Sequence, residues 1–401
     1  MGLNDITSAE RLHIGFFGMR NAGKSSLVNA VTGQQLSVVS NIKGTTTDPV
    51  LKTMELLPLG PVVIIDTPGL DDEGELGILR VQKARRILDQ TDIAVVVVDA
   101  TLGICEHEKK LIEEMERRKK PYVVVFNKAD LTCSEVRTSS TGLWVSARTG
   151  FGVQQLKEAL GRFASEMKRE KTIIADLVYA GDTVVLVTPI DEGAPKGRLI
   201  LPQTMTIRDL LDAHASALIC QPEELKKTLG MLARKPKMVI TDSQVFGRVN
   251  ADTPLDIPLT SFSILMARYK GTLEMQIEGA SLLSKLKDGD KVLISEGCTH
   301  HRRCQDIGTI KIPGWIHQFC GAKPEFVFTS GGEFPEDLSQ FRLAVHCGGC
   351  MLNETAMKNR IDRCREARLP IVNYGIAIAH MNGILKRSVQ MFPMIAKQLE
   401  K

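Results

Sequence analysis

The sequence of 401 residues has no apolar run approaching the roughly 20 residues that a membrane-spanning helix needs. Its first ten residues lack the apolar core of a signal peptide and the character of a transit peptide. Ile6 occupies the position where N-myristoylation needs Ser or Thr. These absences predict a cytoplasmic protein with no membrane partner.

The sequence also lacks an excess of charge of either sign. It has 51 Lys and Arg against 47 Asp and Glu, a net charge of +4, without long charged runs. This balance gives no electrostatic case for a nucleic-acid partner, and we expect none. With 43% hydrophobic residues the composition is that of a globular protein, and the length predicts two or three domains.

The nine cysteines are unevenly placed, since six of them lie between Cys298 and Cys364. In a cytoplasmic chain, cysteines favour metal or redox chemistry over structural disulfides. The motifs described in the next paragraphs, which contain no cysteine, lie before Arg148. The two ends of the chain therefore carry different chemistry.

A phosphate-binding loop is predicted near the N-terminus. Residues Leu12 to Phe17 form an apolar strand, residues 18–25 (GMRNAGKS) match GxxxxGKS, and a helix is expected over 25–31. Backbone N–H groups of such a loop point at phosphate oxygens, and the helix N-terminus adds positive potential. Lys24 would reach the β- and γ-phosphates, and Ser25 would ligate Mg²⁺. The expected nucleotide contacts here are Asn21, Ala22, Gly23, Lys24, Ser25 and Ser26.

Further nucleotide motifs follow in order. The strand 62–65 ends in DTPG, which places Asp66 beside the metal and Gly69 beside a γ-phosphate, while Thr46 in the polar loop GTTTD would close over Mg²⁺. The strand 122–126 ends in NKAD, where the Asp130 carboxylate can accept two hydrogen bonds that guanine offers and adenine does not. The remaining predicted base contacts are Asn127, Lys128, Ser146 and Ala147.

Strands alternate with helices expected over 77–90, 106–118 and 153–166. This alternation predicts a doubly wound α/β sheet, a Ras-like P-loop GTPase domain over residues 6–168. The next segment shows no nucleophile–base arrangement. It contains a β-rich run from residue 173, helices expected over 206–217 and 223–234, and a strand over 238–241. We expect a small α/β dimerisation or interaction domain over 175–262, with His214 on a helix face.

The C-terminal segment carries a cysteine and histidine pattern. A strand over 290–297 precedes Cys298-Thr299-His300, and a strand over 341–345 precedes His346-Cys347-Gly348-Gly349-Cys350. An α/β sheet would bring both strand ends together. Three cysteines with nearby histidines fit an iron–sulfur cluster or a Cys₃His zinc site, and a dithiol redox pair is a third alternative. We expect an α/β domain of Rossmann or flavodoxin-like type over 263–401.

The motifs GMRNAGKSS, GTTTDP, DTPGLDD, NKAD and VSAR resemble the GTPases of the Era and TrmE type. Leu70 stands where Ras-type enzymes carry the glutamine that orients the attacking water, so catalysis cannot use a glutamine here. Glu73 or Glu75 is a candidate for orienting the water instead. Asn21 resembles the asparagine that holds K⁺ against the phosphates in potassium-activated members. The cation would supply charge that an arginine finger supplies elsewhere, which makes Lys24, Thr46 and Asn21 the expected catalytic group.

The whole chain resembles the maturation GTPases of FeFe-hydrogenases. The resemblance rests on GTTTDP, LVTPIDEGAPKGRLILPQ, CTHHRRC and HCGGCMLN. It implies a homodimeric scaffold that binds a 4Fe-4S cluster through Cys298, Cys347 and Cys350, with His300 or His346 as a weak fourth ligand. It also implies that the scaffold receives a di-iron precursor from two radical-SAM maturases and passes it to apo FeFe-hydrogenase.

A second function remains open from the sequence. The chain could be a TrmE- or Era-like GTPase that acts on RNA or ribosomes, with a structural zinc in its C-terminal domain. The near-neutral charge and the lack of a recognisable RNA-binding module count against this alternative.

Asn21 gives a testable prediction. GTP hydrolysis should be faster in potassium than in sodium salts of equal ionic strength, because K⁺ held against the phosphates offsets negative charge in the transition state. The rate of phosphate release measures this. Equal rates in the two salts would contradict the assignment.

Overall fold

The computed structural model describes residues 11–33, 50–57, 59–69, 75–132, 142–167, 171–190, 199–297, 306–349 and 352–400. The chain divides into two compact units, Met1–Arg169 and Glu170–Lys401. The second unit contains both the second and the third domain expected from the sequence. None of the helices in the described ranges is long and apolar enough to cross a membrane.

The first unit has a six-stranded sheet of order β2-β3-β1-β4-β5-β6, in which β2 alone runs antiparallel to its neighbour. Apolar clusters cover both faces of this sheet, which is why its central strands are continuous apolar runs. The predicted Ras-like P-loop GTPase fold is confirmed. Its strands are β1 Leu12–Phe17, β2 Val50–Leu56, β3 Gly60–Asp66, β4 Ile93–Asp99, β5 Tyr122–Asn127 and β6 Leu143–Trp144; its helices are α1 Lys24–Thr32, α2 Glu75–Gln90, α3 Glu106–Arg117 and α4 Val153–Met167.

The second unit has two four-stranded parallel sheets, of order β10-β9-β7-β8 and β12-β11-β13-β14. In both, the first strand along the chain lies between the second and the third, as in flavodoxin-like folds. The strands are β7 Thr183–Val187, β8 Ser216–Cys220, β9 Met238–Thr241, β10 Leu259–Ser261, β11 Lys291–Ser295, β12 Glu325–Thr329, β13 Leu343–His346 and β14 Ile371–Asn373.

Helices cover these two sheets, and one continuous apolar core joins them. A second apolar cluster, which includes Leu293 and Ile361, covers the other face of the C-terminal sheet. The helices are α5 Leu201–Asp212, α6 Leu225–Met231, α7 Phe246–Asp252, α8 Phe262–Tyr269, α9 Leu273–Ala280, α10 Ile312–Cys320, α11 Glu354–Glu366, α12 Tyr374–Met381, α13 Leu385–Ser388 and α14 Pro393–Ala396.

Side-chain caps fix where several of these helices begin. The Asn353 side chain accepts a hydrogen bond from the Ala356 amide at the start of α11, and Asn373 accepts one from Ile376 at the start of α12. Each cap satisfies a backbone N–H that the first helical turn leaves without a partner. Asn373 is also the last residue of β14, so α12 begins directly where that strand ends.

The helix expected over 206–217 was placed wrongly. The structure begins α5 at Leu201 and ends it at Asp212, and a strand follows from Ser216. His214 lies outside the helix with φ of +56°, while Ala215 donates its amide hydrogen to the Leu210 carbonyl. This is the bonding of a helix end in which glycine usually takes the left-handed position. Because His214 occupies that position, the sequence carried no stop signal.

The β-rich run expected from residue 173 contains one strand of the described chain, β7, and a 3₁₀ turn over Ala175–Leu177 precedes it. The other helix and strand predictions within the described ranges are confirmed within a few residues. The helix expected over 223–234 is shorter, since a 3₁₀ turn over Pro222–Glu224 precedes α6. The strand expected over 341–345 begins at Leu343 and includes His346, which was expected to follow it.

A substitution at Gly279 tests how closely α9 packs against β14. A Cβ atom at this position would lie 2.2 Å from the Ile371 carbonyl oxygen, so only glycine fits. We expect Gly279→Ala to lower the free energy of unfolding by about 1–3 kcal/mol, because backbone would have to move. Calorimetry or denaturant unfolding of the second unit's transition measures the change.

Gly230 in α6 provides the matched control. A Cβ atom there meets nothing within 4 Å, and the residue is exposed. Gly230→Ala should be neutral or stabilise by up to about 0.5 kcal/mol, since alanine favours helix. If both substitutions had the same effect, the close contact at Gly279 would not be a packing constraint.

Candidate functional site

The turn between β1 and α1 has the geometry of a phosphate-binding loop. The Lys24 ammonium, at the first position of α1, is buried and donates hydrogen bonds to the carbonyls of Gly18 at 2.9 Å and Met19 at 2.7 Å. Gly23 has φ of +86°, and a Cβ atom there would lie 2.3 Å from the Asn127 side-chain nitrogen. The loop thus requires glycine at this position, and it wraps around the lysine.

A hydroxyl and a carboxylate meet next to this loop. The Ser25 hydroxyl donates a 2.6 Å hydrogen bond to Oδ2 of Asp66, which ends β3. Both groups are oxygen ligands of the kind that Mg²⁺ accepts. A Cβ atom on Gly69 would lie 2.9 Å from the backbone nitrogen of Arg20, so the backbone after Asp66 lies against the phosphate loop. Thr46, Leu70 and Glu73 lie outside the described residues.

The two predicted base-recognition segments are joined by Asn127. Its side-chain nitrogen donates to the Ala22 carbonyl at 2.9 Å, and its oxygen accepts from the Ala147 amide at 3.1 Å. The Ser146 hydroxyl donates to Oδ1 of Asp130 at 2.6 Å. The structure therefore brings the phosphate loop, the NKAD segment and the SAR segment together at the carboxyl ends of β1, β5 and β6.

Lys128 is fixed by a second carboxylate. Its ammonium forms a 2.5 Å contact with Oδ2 of Asp99 at the end of β4, and its backbone has φ of +64°. Burial pushes the pKa of Asp99 upward, but hydrogen bonds from Lys128 and Thr101 outweigh that effect and hold the pKa below its usual value. The ion pair therefore ties the NKAD segment to the end of β4.

Glu108 is a supporting residue that the sequence did not reveal. It lies buried in α3, where Oε1 accepts from the Met19 amide at 3.4 Å and Oε2 from the Cys105 amide at 3.1 Å. Its spacing from Cys105 is that of an N-terminal helix cap, which signals a local role only. The contact with the phosphate loop is made across 89 residues and has no local signature.

The cysteine segments meet at the ends of two paired strands. β11 and β13 are parallel neighbours with Ser295 opposite His346, and the Gly297 amide donates to the Cys347 sulfur at 3.0 Å. Gly297 is the residue that precedes Cys298 in the sequence. Cys298, His300 and Cys350 lie outside the described residues. In a sheet of this order, β11 and β13 flank the point where ligands bind in flavodoxin-like folds.

The Cys347 sulfur is in an environment that suits a thiolate ligand. It is half-buried and accepts a second, longer hydrogen bond from the Gly349 amide at 3.4 Å. Backbone N–H groups directed at sulfur stabilise the anionic form that binds iron or zinc. Within the described ranges no group of three potential metal ligands occurs, and two of the three candidate cysteines fall outside those ranges.

Both ring nitrogens of His346 have protein partners. Nδ1 lies 2.6 Å from the Cys347 carbonyl oxygen and Nε2 lies 2.9 Å from the Arg360 guanidinium. Because a guanidinium only donates, Nε2 accepts and Nδ1 carries the hydrogen. Complete burial and the charge of Arg360 lower the pKa of His346 to about 3, so the ring is neutral. In this arrangement His346 supports the backbone of Cys347.

The supporting role of Arg360 was not predicted from the sequence, although its position on the apolar face of a helix indicated one. It is buried in α11, donates to the Ser295 hydroxyl at 3.1 Å and to the Gly331 carbonyl, and packs over Phe334. Ala356, Arg360 and Cys364 are spaced four residues apart on the buried side of α11. A charged residue on an apolar helix face indicates a specific buried partner.

The comparisons with known proteins agree with this division of the chain. Residues 13–128 match a family model described as a 50S ribosome-binding GTPase. Residues 173–271 match the hydrogen maturase F dimerization domain, and residues 274–391 match the hydrogen maturase F tetramerization domain.

Individual relatives resemble the first unit. GTPase Der of Kosmotoga olearia is 34% identical over 170 residues, covering 38% of this chain and 38% of that protein. The tRNA modification GTPase MnmE of Dechloromonas aromatica is 30% identical over 169 residues, covering 41% of this chain and 37% of that protein. The chain thus aligns with little more than a third of these relatives.

Among solved structures, Aquifex aeolicus Era bound to GDP·AlF₄⁻ is 19% identical, with a TM-score of 0.35, and covers 52% of this chain and 92% of that one. The chain after the GTPase domain is identified by the two hydrogen maturase F models, which together cover more than half of the sequence. With a GTPase domain ahead of both, the chain belongs to the hydrogen maturase F family.

Proposed function

We propose that this protein is a GTP-hydrolysing scaffold that binds a 4Fe-4S cluster through Cys298, Cys347 and Cys350 and delivers a di-iron precursor to apo FeFe-hydrogenase. The main support for the proposed cluster site is the 3.0 Å hydrogen bond from the Gly297 amide to the Cys347 sulfur. It supports the proposal because Gly297, which precedes the CxH segment in the sequence, contacts the first cysteine of HCxxC across 50 residues. The proposal places the protein in the cytoplasm.

In the nucleotide site, Lys24 would bind the β- and γ-phosphates, and Ser25 with Thr46 would ligate Mg²⁺, with Asp66 beside the metal. Support comes from the 2.6 Å hydrogen bond between Ser25 and Asp66, since it brings the two oxygens together beside the phosphate loop. Asp130 would select guanine, and its contact with Ser146 holds the carboxylate in place. The backbone at Ser146 and Ala147 would contact the base oxygen.

Asn21 would hold K⁺ against the phosphates. It sits in the phosphate loop with φ of +61°, a conformation that asparagine tolerates better than most residues, and it is exposed. The residue is therefore at the surface where a phosphate-bound cation would lie. The predicted stimulation of hydrolysis by K⁺ tests this part of the proposal.

A 4Fe-4S cluster held by three cysteine thiolates supplies one iron to which an exchangeable ligand can bind. The di-iron precursor, the cargo of the protein, would attach there. Because both ring nitrogens of His346 are bonded within the protein, His300 is the better histidine candidate for a weak fourth ligand. Arg360 and His346 would hold the backbone of Cys347 in its ligating position.

GTP hydrolysis would act as a switch in this scheme. The γ-phosphate would order the segments that contain Thr46 and Gly69, and hydrolysis would release them. The change would control exchange of partners, namely the two radical-SAM maturases that supply the precursor and the apo-hydrogenase that receives it. In this scheme the partners, and not this protein, carry out the chemical reactions of the di-iron precursor.

Oligomerisation is supported by the names of both hydrogen maturase F domains. We place the homodimer contact at β8, the edge strand of the middle sheet. One side of β8 pairs with β7, and no strand of the described chain pairs with the other. Leu218 and Ile219 on this strand are 37% and 46% exposed. An open strand edge with apolar side chains favours pairing with a second copy.

The RNA- or ribosome-directed alternative is weaker. The GTPase model that matches residues 13–128 is described as ribosome-binding, which is the one observation in its favour. Residues 173–271 and 274–391, more than half of the chain, match hydrogen maturase F domains instead. A structural zinc at the cysteines would be the diagnostic result for this alternative.

The two activities should be separable by substitution. Ser25→Ala should reduce Mg²⁺-dependent GTP hydrolysis by about tenfold or more and leave iron and sulfide content unchanged. Cys298→Ser should abolish cluster binding and maturation and retain GTP hydrolysis. Cys320→Ser, which changes a half-buried cysteine at the end of α10, serves as the control and should retain both. Retention of a full cluster in Cys298→Ser would contradict the ligand assignment.

The dimer contact is tested with charged side chains on β8. Ile219→Glu should convert the dimer to a monomer, because a carboxylate would be buried at the strand edge. Leu255→Glu is the control, since Leu255 is 86% exposed and precedes β10 at the opposite edge of the sheet. Light scattering gives the molar mass. An unchanged mass for Ile219→Glu would place the dimer contact elsewhere.

A further inference from the structure

A lysine from the middle segment contacts the cysteine turn. Lys270 follows α8 as its C-terminal cap, and its Nζ donates to the carbonyl oxygens of Gly348 at 3.3 Å and Gly349 at 3.1 Å. These glycines lie between Cys347 and Cys350. The side chain is half-buried, so the ammonium reaches the turn from the rim of the site.

We propose that Lys270 is a positioning residue for the cluster: it fixes the backbone that follows Cys347, at Gly348 and Gly349, and places a positive charge beside the proposed iron site. This inference rests on the proposed cluster function. It adds a residue outside the cysteine and histidine motifs, and one that belongs to a different domain from the ligands.

The turn needs an external support because of its composition. Two consecutive glycines give the backbone more freedom than any other pair of residues, and Gly349 has φ of +62°. A bond to each glycine carbonyl fixes two successive peptide planes. A Cβ atom on Gly349 would lie 3.4 Å from the Lys270 ammonium, which shows how closely the two groups pack. The conformation of the backbone at Gly348 and Gly349 therefore depends on Lys270.

The base of the lysine is itself firmly held. The neighbouring Arg268 guanidinium donates to the Ile173 carbonyl at 3.1 Å, pairs with Asp176, and packs 5.2 Å from the Phe392 ring. These contacts fix the last turn of α8. Lys270 thus transmits the position of a helix end in the dimerization segment to a ligating turn in the tetramerization segment.

The charge of Lys270 has a predictable electronic effect. A cluster bound by three thiolates carries a net negative charge, and reduction adds one more. An ammonium nearby stabilises the more negative state, and hydrogen bonds and local charge are known determinants of cluster potential. The oxidised and reduced forms would therefore respond differently to its removal, whereas a loss of packing alone would affect both alike.

The test compares three variants of the full chain: Lys270→Met, which keeps the stem and removes the charge and donors; Lys270→Arg, which keeps both; and Lys285→Met, an exposed lysine outside the site. In the apo protein, hydrogen exchange of the peptide containing residues 346–352 reports on the turn. In the cluster-loaded protein, the rate of iron removal by a chelator, the midpoint potential and the EPR spectrum of the reduced cluster are measured.

We expect Lys270→Met to exchange faster at the turn, to lose iron about tenfold faster, to have a lower midpoint potential and to show an altered EPR spectrum. GTP hydrolysis should be unchanged. Lys270→Arg should restore most of each property, and Lys285→Met should match the parent protein.

The inference is overturned if Lys270→Met matches the parent protein in turn exchange, chelation rate and potential, or if Lys285→Met shows the same losses. If the parent protein binds no iron–sulfur cluster, the proposed function fails and the electronic role of Lys270 fails with it. The exchange measurement on apo protein then still decides whether the lysine holds the turn.

Discussion

Parallel pairing of β11 with β13 sets the geometry on which the C-terminal site depends. The register puts Ser295 opposite His346, and the next residues along both strands leave the sheet at the same edge. The Gly297 amide can then reach the Cys347 sulfur. A shift of the register by two residues would move Gly297 and Cys347 apart by about 7 Å, since each residue of a strand adds roughly 3.3 Å.

The nucleotide site follows the same physical rule at the other end of the chain. The carboxyl ends of β1, β3, β4 and β5 deliver the phosphate loop, Asp66, Asp99 and Asn127 to one edge of the first sheet. Both units thus use buried strands as rigid supports and place reactive groups in the turns beyond them. Supporting residues then come from distant helices: Glu108 contacts the phosphate loop, whereas Arg360 and Lys270 contact the cysteine segment.

The strands and most helices could be predicted from the sequence because apolar runs and turn residues mark them locally. The GTPase motifs and the CxH and HCxxC segments were also visible, since each is a short pattern. The end of α5 was missed because His214 takes a left-handed conformation that glycine normally marks. Lys270 and Arg360 could not be assigned roles, since their partners in the cysteine segment depend on tertiary packing between sheets.

We propose that Cys298, Cys347 and Cys350 hold an iron–sulfur cluster in a chain that also carries a GTPase domain. The most direct measurement is the iron, acid-labile sulfide and zinc content of the full chain purified without oxygen. A brown protein with about four iron and four sulfide per chain is the expected result. A colourless protein with one zinc per chain and no sulfide would contradict it.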